Sequence, residues 1–170
     1  MAGVDLRLSN GTDVVIRPIR PGDKALLAAA VARLSPHTAR MRFLAPKNRL
    51  TTAELRYLTE IDYVDHYALV AVRADEPHCL AGVGRWVRDT EQRDAAELAI
   101  LVADELQGKG LGIALGEALS DAARARGIAR FTGITLAENR AAHRLFAHLS
   151  SQLRTQHVGS TYEMVAELVA

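Results

Sequence analysis

The sequence predicts a mixed α/β fold, an α+β domain with a mostly antiparallel central sheet and helices on both faces. Two apolar runs, residues 67–72 and 80–87, flank a short polar turn and so predict an antiparallel hairpin. A third run, residues 95–102, is nearly all apolar, as expected for a buried central strand. It ends before a cluster of glycines, and a helical pattern of leucine and alanine follows it.

The N-terminal part is predicted to hold one strand and then helices. Residues 13–17 form the first strand, which Pro18 stops, and Pro21 opens a helix with an apolar stripe. Ser35 and Thr51 are residue types that cap two further helices. Residues 1–12 are expected to be a flexible or peripheral segment.

The C-terminal part is predicted to continue the sheet after the glycine cluster. The helix beginning at Leu111 ends in a basic last turn and Gly127. A strand at residues 131–136 and a helix at residues 138–149 follow. Two more strands, residues 153–158 and 161–168, meet at Gly159.

Length and composition favour one globular domain, residues 1–170. The chain is 49% hydrophobic and carries a formal net charge of +1 without a dense basic run, so neither nucleic acid nor an anionic membrane is expected as its partner. No leader or membrane-length segment is evident, and a cytoplasmic protein is expected. The lone Cys79 is expected to be a small core residue. The sequence does not indicate an oligomeric state.

The glycine cluster has the composition of a phosphate-binding loop. Glycines let the backbone approach an anion closely, and the first turn of a helix presents unpaired N–H groups with a partial positive charge. Lys109 adds a full charge beside Gly108, Gly110 and Gly112. The alternative is an ordinary strand-to-helix connection in which these glycines only shape the turn.

Two common phosphate loops do not fit this cluster. A dinucleotide fingerprint requires a third glycine where Leu115 stands, and residues 103–106 separate the strand from the glycines. A P-loop requires a lysine followed by serine or threonine after its last glycine, and the chain has no such pair.

The pattern that fits is Q-x-x-G-x-G, read as Gln107, Gly110 and Gly112. It resembles the acyl-CoA pyrophosphate loop of the GNAT N-acetyltransferase superfamily, and the element order agrees over nearly the whole chain. Residues 16–23, 34–36 and 61–63 look more narrowly like the acetyltransferase domains of bacterial Pat-type protein-lysine acetylases. The resemblance implies a GNAT-type sheet, acetyl-CoA as acyl donor with CoA as product, and no metal.

The resemblance also implies where acetyl-CoA binds. Backbone groups around Ile100, Leu101 and Val102 would hold the pantetheine arm in a split between this strand and the next, and one N–H would polarise the thioester carbonyl. Asn139 matches an asparagine that contacts the cofactor arm, although it is equally suited to cap the following helix. The pyrophosphate would lie against Gln107, Gly108, Lys109, Gly110, Leu111, Gly112 and Ile113.

Glu97 is the candidate general base. A lysine-type amine has a pKa of about 10.4, so it must lose a proton before it can attack a thioester. Glu97 stands in an otherwise apolar strand, where burial would raise the pKa of a carboxylate toward the useful range. In Pat-like domains the matching glutamate is the proposed base, acting directly or through water. The alternative is that Glu97 lies at an exposed strand start and pairs with an arginine.

One position departs from the family. Many members carry a tyrosine general acid where this chain has Phe146, which we expect to be a wall of the thioester pocket. A thiol of pKa about 8.5 leaves tolerably as thiolate, and Tyr162, His148 or water could supply the proton instead. His143 and His148 share a helix without a third evident ligand, so no zinc site is expected.

These observations predict an N-acetyltransferase in which an amine attacks the thioester directly in a ternary complex. The acceptor amine is either a protein lysine or a small molecule. An alternative of another class is a non-catalytic acyl-CoA-binding module that regulates a partner protein, for which Phe146 is the support.

Overall fold

The computed structural model describes residues 3–169, which form one eight-stranded sheet with helices on both faces. The strand order is β1-β2-β3-β4-β5-β6-β8-β7, and every neighbouring pair is antiparallel except β5 and β6. The mixed α/β prediction is confirmed. The strands are β1 (Val4–Arg7), β2 (Asp13–Pro18), β3 (His66–Arg73), β4 (Leu80–Arg88), β5 (Ala95–Val102), β6 (Arg130–Leu136), β7 (Ser150–Val158) and β8 (Thr161–Leu168). The helices are α1 (Lys24–Ala32), α2 (Pro36–Phe43), α3 (Thr52–Thr59), α4 (Leu111–Arg124) and α5 (Arg140–Leu149).

Two apolar layers sandwich the sheet. On one face, α4 and α5 pack over Trp86, Leu98 and Phe131. On the other, α1 and α3 pack over Val70, Val83 and Leu101. Successive strand residues point to opposite faces of a sheet. On β5, Leu98 points toward α4 and α5, and Leu101 points toward α1 and α3; residue 97 is on the same face as residue 101. Glu97 therefore lies on the face covered by α1 and α3.

The sheet splits between β5 and β6. These two strands pair over only three positions, from Ala95 opposite Arg130 to Glu97 opposite Thr132. Beyond that point β5 stays paired with β4 up to Val102, and β6 stays paired with β8 up to Leu136. The edges of β5 and β6 that face one another are therefore free of partner strands in their C-terminal halves.

The N-terminal segment holds a strand that the sequence did not predict, and Cys79 differs from expectation. Val4–Arg7 forms edge strand β1, so the first strand begins before Asp13; Met1 and Ala2 lie outside the described residues. Cys79 is not a core residue, because it lies half-buried in the turn between β3 and β4 and its thiol donates to Glu76 Oε2 at 3.1 Å. The polar turn places it outside the apolar runs on either side.

The predicted helix caps are present. Ser35 Oγ accepts the backbone N–H of Thr38 at 3.2 Å, and Thr51 Oγ1 accepts that of Glu54 at 3.2 Å. Gly127, at φ 75°, follows the end of α4 as the sequence indicated. No helix within residues 3–169 combines the length and apolar character needed to cross a membrane.

Candidate active site

Glu97 occupies the last paired position before β5 and β6 diverge. The sequence argument expected its carboxylate to be buried, and this is wrong, because the side chain is exposed where the sheet opens. Within residues 3–169, Glu97 forms no ion pair shorter than 4.0 Å, so the arginine-pairing alternative is not observed as a direct contact. Glu97 stands instead as an accessible carboxylate at the mouth of the split.

Two arginines lie on the same side of the sheet as Glu97. Arg85 of β4, opposite Ala99 of β5, is buried, and Nη1 donates to Leu58 O and His66 Nε2, both at 3.0 Å. Arg42 comes from the last turn of α2. Burial lowers the pKa of Arg42, and the negative charge of Glu97 partly counters this effect.

Burial sets the protonation of this cluster. Burial, with a smaller contribution from the Arg42 charge, lowers the pKa of Arg85 to about 10, so Arg85 stays charged at neutral pH. Burial and the Arg85 charge lower the pKa of His66 to about 4, so His66 is neutral. Since a guanidinium only donates, His66 Nε2 is the acceptor and its proton sits on Nδ1.

A cleft of about 380 Å³ opens beside this cluster, between the end of α2 and α3. The segment from Arg42 to Pro46 contributes part of its wall. Lys47 and Glu54 form an ion pair at 2.7 Å on the rim, which lowers the pKa of Glu54 to about 2. Tyr57 and Leu58 of α3 complete the wall. The volume suits a small molecule or a single long side chain.

The glycine loop lies at the C-terminal end of β5. Gly108 and Gly110 have φ of 70° and 96°, a region that L side chains rarely adopt, and a Cβ at either would meet nothing within 4 Å. Glycine is therefore required at both positions by the positive φ of the backbone, and not by a lack of space for a side chain. Gly110 is the N-cap of α4 and offers no side-chain acceptor. The first N–H groups of α4, at Leu111, Gly112 and Ile113, lack intrahelical partners.

The side-chain amide of Gln107 holds this loop in place through two hydrogen bonds. Its Nε2 donates to Thr38 Oγ1 at 3.1 Å and to Val102 O at 3.2 Å. Asp104 accepts hydrogen bonds from Ser35 N and from the hydroxyl of Thr38. The start of α2 therefore holds the loop, and the Gln107 side chain is turned toward the protein. Lys109 is joined to the N-terminal segment, since its carbonyl accepts Ser9 N at 3.2 Å.

The residues expected to hold the pantetheine arm lie where β5 has no partner on one edge. Leu101 is buried, and Ile100 and Val102 are partly buried against the α4 layer. Their side chains pack into the core, and their backbone groups lie along the split. Asn139 caps α5, its Oδ1 accepting Ala142 N at 3.1 Å, so the capping alternative is observed and contact with a cofactor stays a prediction.

The candidates for the thiolate proton lie apart from Glu97. Phe146 is buried, and its ring tip packs over Gly133 of β6, where a Cβ would come within 2.6 Å. Tyr162 faces the α5 side of the sheet, opposite to Glu97, with its ring centroid 5.0 Å from that of His143 and 4.8 Å from that of His157. His148 Nε2 contacts Glu117 Oε1 at 2.9 Å on the outer surface of α4 and α5.

Sequence reasoning missed Arg85 and His66 as site residues. The signal was an arginine inside the apolar run at residues 80–87, where an unpaired charge would be costly.

Potential metal ligands are brought together elsewhere. In the described part of the chain, only Glu76, His78 and Cys79, in the turn between β3 and β4, place three such atoms within 4.8 Å of one another.

Comparison with known proteins gives concordant matches. The acetyltransferase (GNAT) family model matches residues 36–150. Acetyltransferase PA5475 of Pseudomonas aeruginosa is 36% identical over 135 residues, covering 79% of this chain and 72% of that protein. Acetyltransferase Pat of Mycolicibacterium smegmatis is 30% identical over 148 residues, covering 87% of this chain but only 44% of that longer protein.

A solved structure agrees over the whole length. The GNAT domain of S. lividans PAT superposes with a TM-score of 0.86 at 27% identity, covering 98% of this chain and 97% of that one. The family match spans more than half of the sequence and includes β5, the glycine loop, α4 and α5. The chain therefore belongs to the GNAT family of acetyltransferases, whose general activity is acetyl-CoA-dependent acetylation.

Proposed function

We propose that this chain transfers an acetyl group from acetyl-CoA to a primary amine by direct attack in a ternary complex, with Glu97 as general base. The observation that carries the proposal is the position of Glu97. It is an accessible carboxylate at the last paired residue before the sheet opens, on the side where the cleft lies. An amine entering from that side reaches the carboxylate and the free edge of β5 together.

The glycine loop and the split are the proposed site for acetyl-CoA. The backbone N–H groups at the start of α4 and the charge of Lys109 bind the pyrophosphate, since a helix N-terminus without a side-chain cap favours an anion. Backbone groups of Ile100, Leu101 and Val102 hold the arm along the unpaired edge of β5. The bound group supplies an activated thioester.

The chain's own residues then handle the proton and the charge. Glu97 takes a proton from the ammonium form of the acceptor, directly or through water, and so frees the nitrogen lone pair. A backbone N–H on the free edge of β5 stabilises the oxygen of the carbonyl while the C–N bond forms and the C–S bond breaks. The nitrogen loses its second proton as the amide forms, and this proton reaches the CoA thiolate through water or Tyr162, because Phe146 offers none.

The acceptor is a protein lysine or a small amine. The resemblance to Pat-type protein-lysine acetylases supports the first. The size of the cleft, about 380 Å³, accommodates either a lysine side chain or a compact molecule.

The test is release of free thiol from acetyl-CoA in the presence of lysine peptides, proteins and small amines, with Glu97→Gln beside the parent. Turnover should fall tens-fold or more in the variant, because a positioned base typically contributes about 100-fold or more. Affinity for acetyl-CoA should stay unchanged, since Glu97 does not lie in the pyrophosphate loop.

Glu163→Gln is the matched control, because Glu163 is an exposed strand carboxylate on β8. Equal turnover in parent and Glu97→Gln would remove Glu97 from the mechanism. Tight acetyl-CoA binding without thiol release for any acceptor would favour the non-catalytic acyl-CoA-binding module.

A further inference from the structure

Arg42 carries a positive charge that has no protein partner in the described structure. Across residues 3–169 its guanidinium donates no hydrogen bond and forms no ion pair within 4.0 Å. It contacts the Phe43 ring, with the Arg42 Cζ 5.1 Å from the ring centroid, and lines the cleft between α2 and α3. The side chain is half-buried, and partial removal of a guanidinium from water without a partner is unfavourable.

Arg85 adds a second guanidinium next to the first. It is 5% exposed, and within residues 3–169 only its Nη1 makes hydrogen bonds, to Leu58 O and His66 Nε2. Both of those acceptors are neutral, so no negative charge in direct contact balances Arg85. Its Nε and Nη2 groups retain donor capacity.

The negative groups nearby do not supply the missing partner. Glu54 is committed to Lys47 at 2.7 Å on the rim of the cleft. Glu97 is close enough for its charge to act on Arg42 but forms no ion pair with it. The neighbouring Arg40 differs, since it pairs with Glu138 across the opening of the split.

From these contacts we infer that Arg42 and Arg85 form a subsite for an anionic group, a carboxylate or phosphate, carried by the amine acceptor. Guanidinium forks match the planar oxygens of a carboxylate; Arg42 lines the cleft, and Arg85 lies behind its wall, bonded to Leu58 O, so the two charges together give attraction and orientation. An acceptor held there by its acidic group would present its amine toward Glu97. This inference rests on the proposed function, because it concerns the acceptor of the same site.

Two sources of the acidic group have the same chemistry. It can belong to a small amino acid-like acceptor, or to an acidic residue beside a lysine in a protein. The length between the amine and the acid decides which source fits, so both are probed.

The experiment is calorimetric titration of the full chain without acetyl-CoA, so that no reaction occurs. The small-molecule probes are 6-aminohexanoate and its neutral analogue 6-aminohexanamide. The peptide probes are end-blocked Gly-Lys-Asp and Gly-Lys-Asn. We expect the acidic member of one pair to bind about tenfold more tightly than its neutral partner, as charge-assisted pairing implies.

Arg42→Gln should abolish that preference, whereas Arg49→Gln should retain it, because Arg49 is an exposed arginine in the same segment that does not line the cleft. If Arg42→Gln fails to fold, Arg42→Lys replaces it; loss of the fork should weaken the preference several-fold while the charge stays. Equal or undetectable binding of acidic and neutral probes, or a preference that survives Arg42→Gln, would overturn the inference.

The same probes in the thiol-release assay separate the two proposals. Preference for the acid without any thiol release would leave the subsite standing and remove the transferase. Thiol release without a preference for the acidic probes would support the transferase and overturn the subsite.

Discussion

His66 illustrates how one residue responds to a buried charge. It sits at the start of β3 with its ring against the guanidinium of Arg85, and burial together with that charge lowers its pKa to about 4. In the unfolded chain a histidine has a pKa of about 6.5. Between these two values the unfolded state binds a proton that the folded state does not.

The contribution of His66 to the free energy of unfolding should therefore be fully present above pH 6.5 and be lost as the pH falls toward 4. Allowing for partial screening, we expect a loss of about 1–2 kcal/mol in the free energy of unfolding from this residue. Urea unfolding at several pH values checks this. His66→Gln should flatten the profile in that window, and a variant with the parent's slope would show that another group is responsible.

The catalytic candidate was easier to find from the sequence than its surroundings. Glu97 stands out because a carboxylate interrupts an apolar strand. The sequence offered its exposure only as an alternative, since only the divergence of β5 from β6 uncovers that side chain. Arg42 and Arg85 are 43 positions apart in the chain and meet only when α2 packs over the sheet. No local sequence pattern indicates that two residues so far apart in the chain lie next to each other.

At the level of elements, the glycine loop makes a prediction that separates binding from folding. Gly112 is the second residue of α4, and a Cβ there would meet only Val102 Cγ2, at 3.8 Å, an ordinary contact. Gly112→Ala should leave stability unchanged or raise it by about 0.5 kcal/mol, because alanine favours a helix. The added methyl group would obstruct a pyrophosphate against the helix N-terminus.

We therefore expect Gly112→Ala to weaken acetyl-CoA binding about tenfold without loss of stability, a cost of about 1.4 kcal/mol. Calorimetry and thermal unfolding measure the two quantities. Gly22→Ala is the control, since a Cβ there meets nothing within 4 Å and Gly22 lies in the turn before α1. An unchanged affinity in Gly112→Ala would place the pyrophosphate elsewhere.

Elements with continuous apolar runs were predicted within one or two residues, whereas the short edge strand β1 was not predicted. The apolar residues of β3 and β4 are buried on both faces and those of β5 are buried or partly buried, so their sequence alone indicates strands. Strand β1 is only Val-Asp-Leu-Arg, and three of its four side chains are exposed. Its strand character comes from pairing with β2. That pairing is a tertiary contact and leaves little trace in four residues.

At the scale of the whole molecule, the split leaves the sheet as two parts with a narrow join. Strands β1 to β5 form one part, and β6, β8 and β7 form the other. Three paired positions connect them through β5 and β6, and α4 and α5 cover the join on one face. On the other face, the pair Arg40 and Glu138 links α2 to the loop before α5.

A ligand lying in the split would contact both parts, so acetyl-CoA should slow amide hydrogen exchange on both sides at once. We expect protection along β5 after Glu97, along β6 from Gly133 to Leu136, and in the first turn of α4, because ordering by a ligand stabilises every segment it bridges. Strands β1 and β2 lie at the far edge and should be unaffected.

Acetyl-pantetheine, which lacks the pyrophosphate, should protect β5 and β6 but not the start of α4. Exchange measured by mass spectrometry with each ligand distinguishes these patterns. Protection confined to one side of the split would mean that the acyl group and its carrier do not lie between β5 and β6.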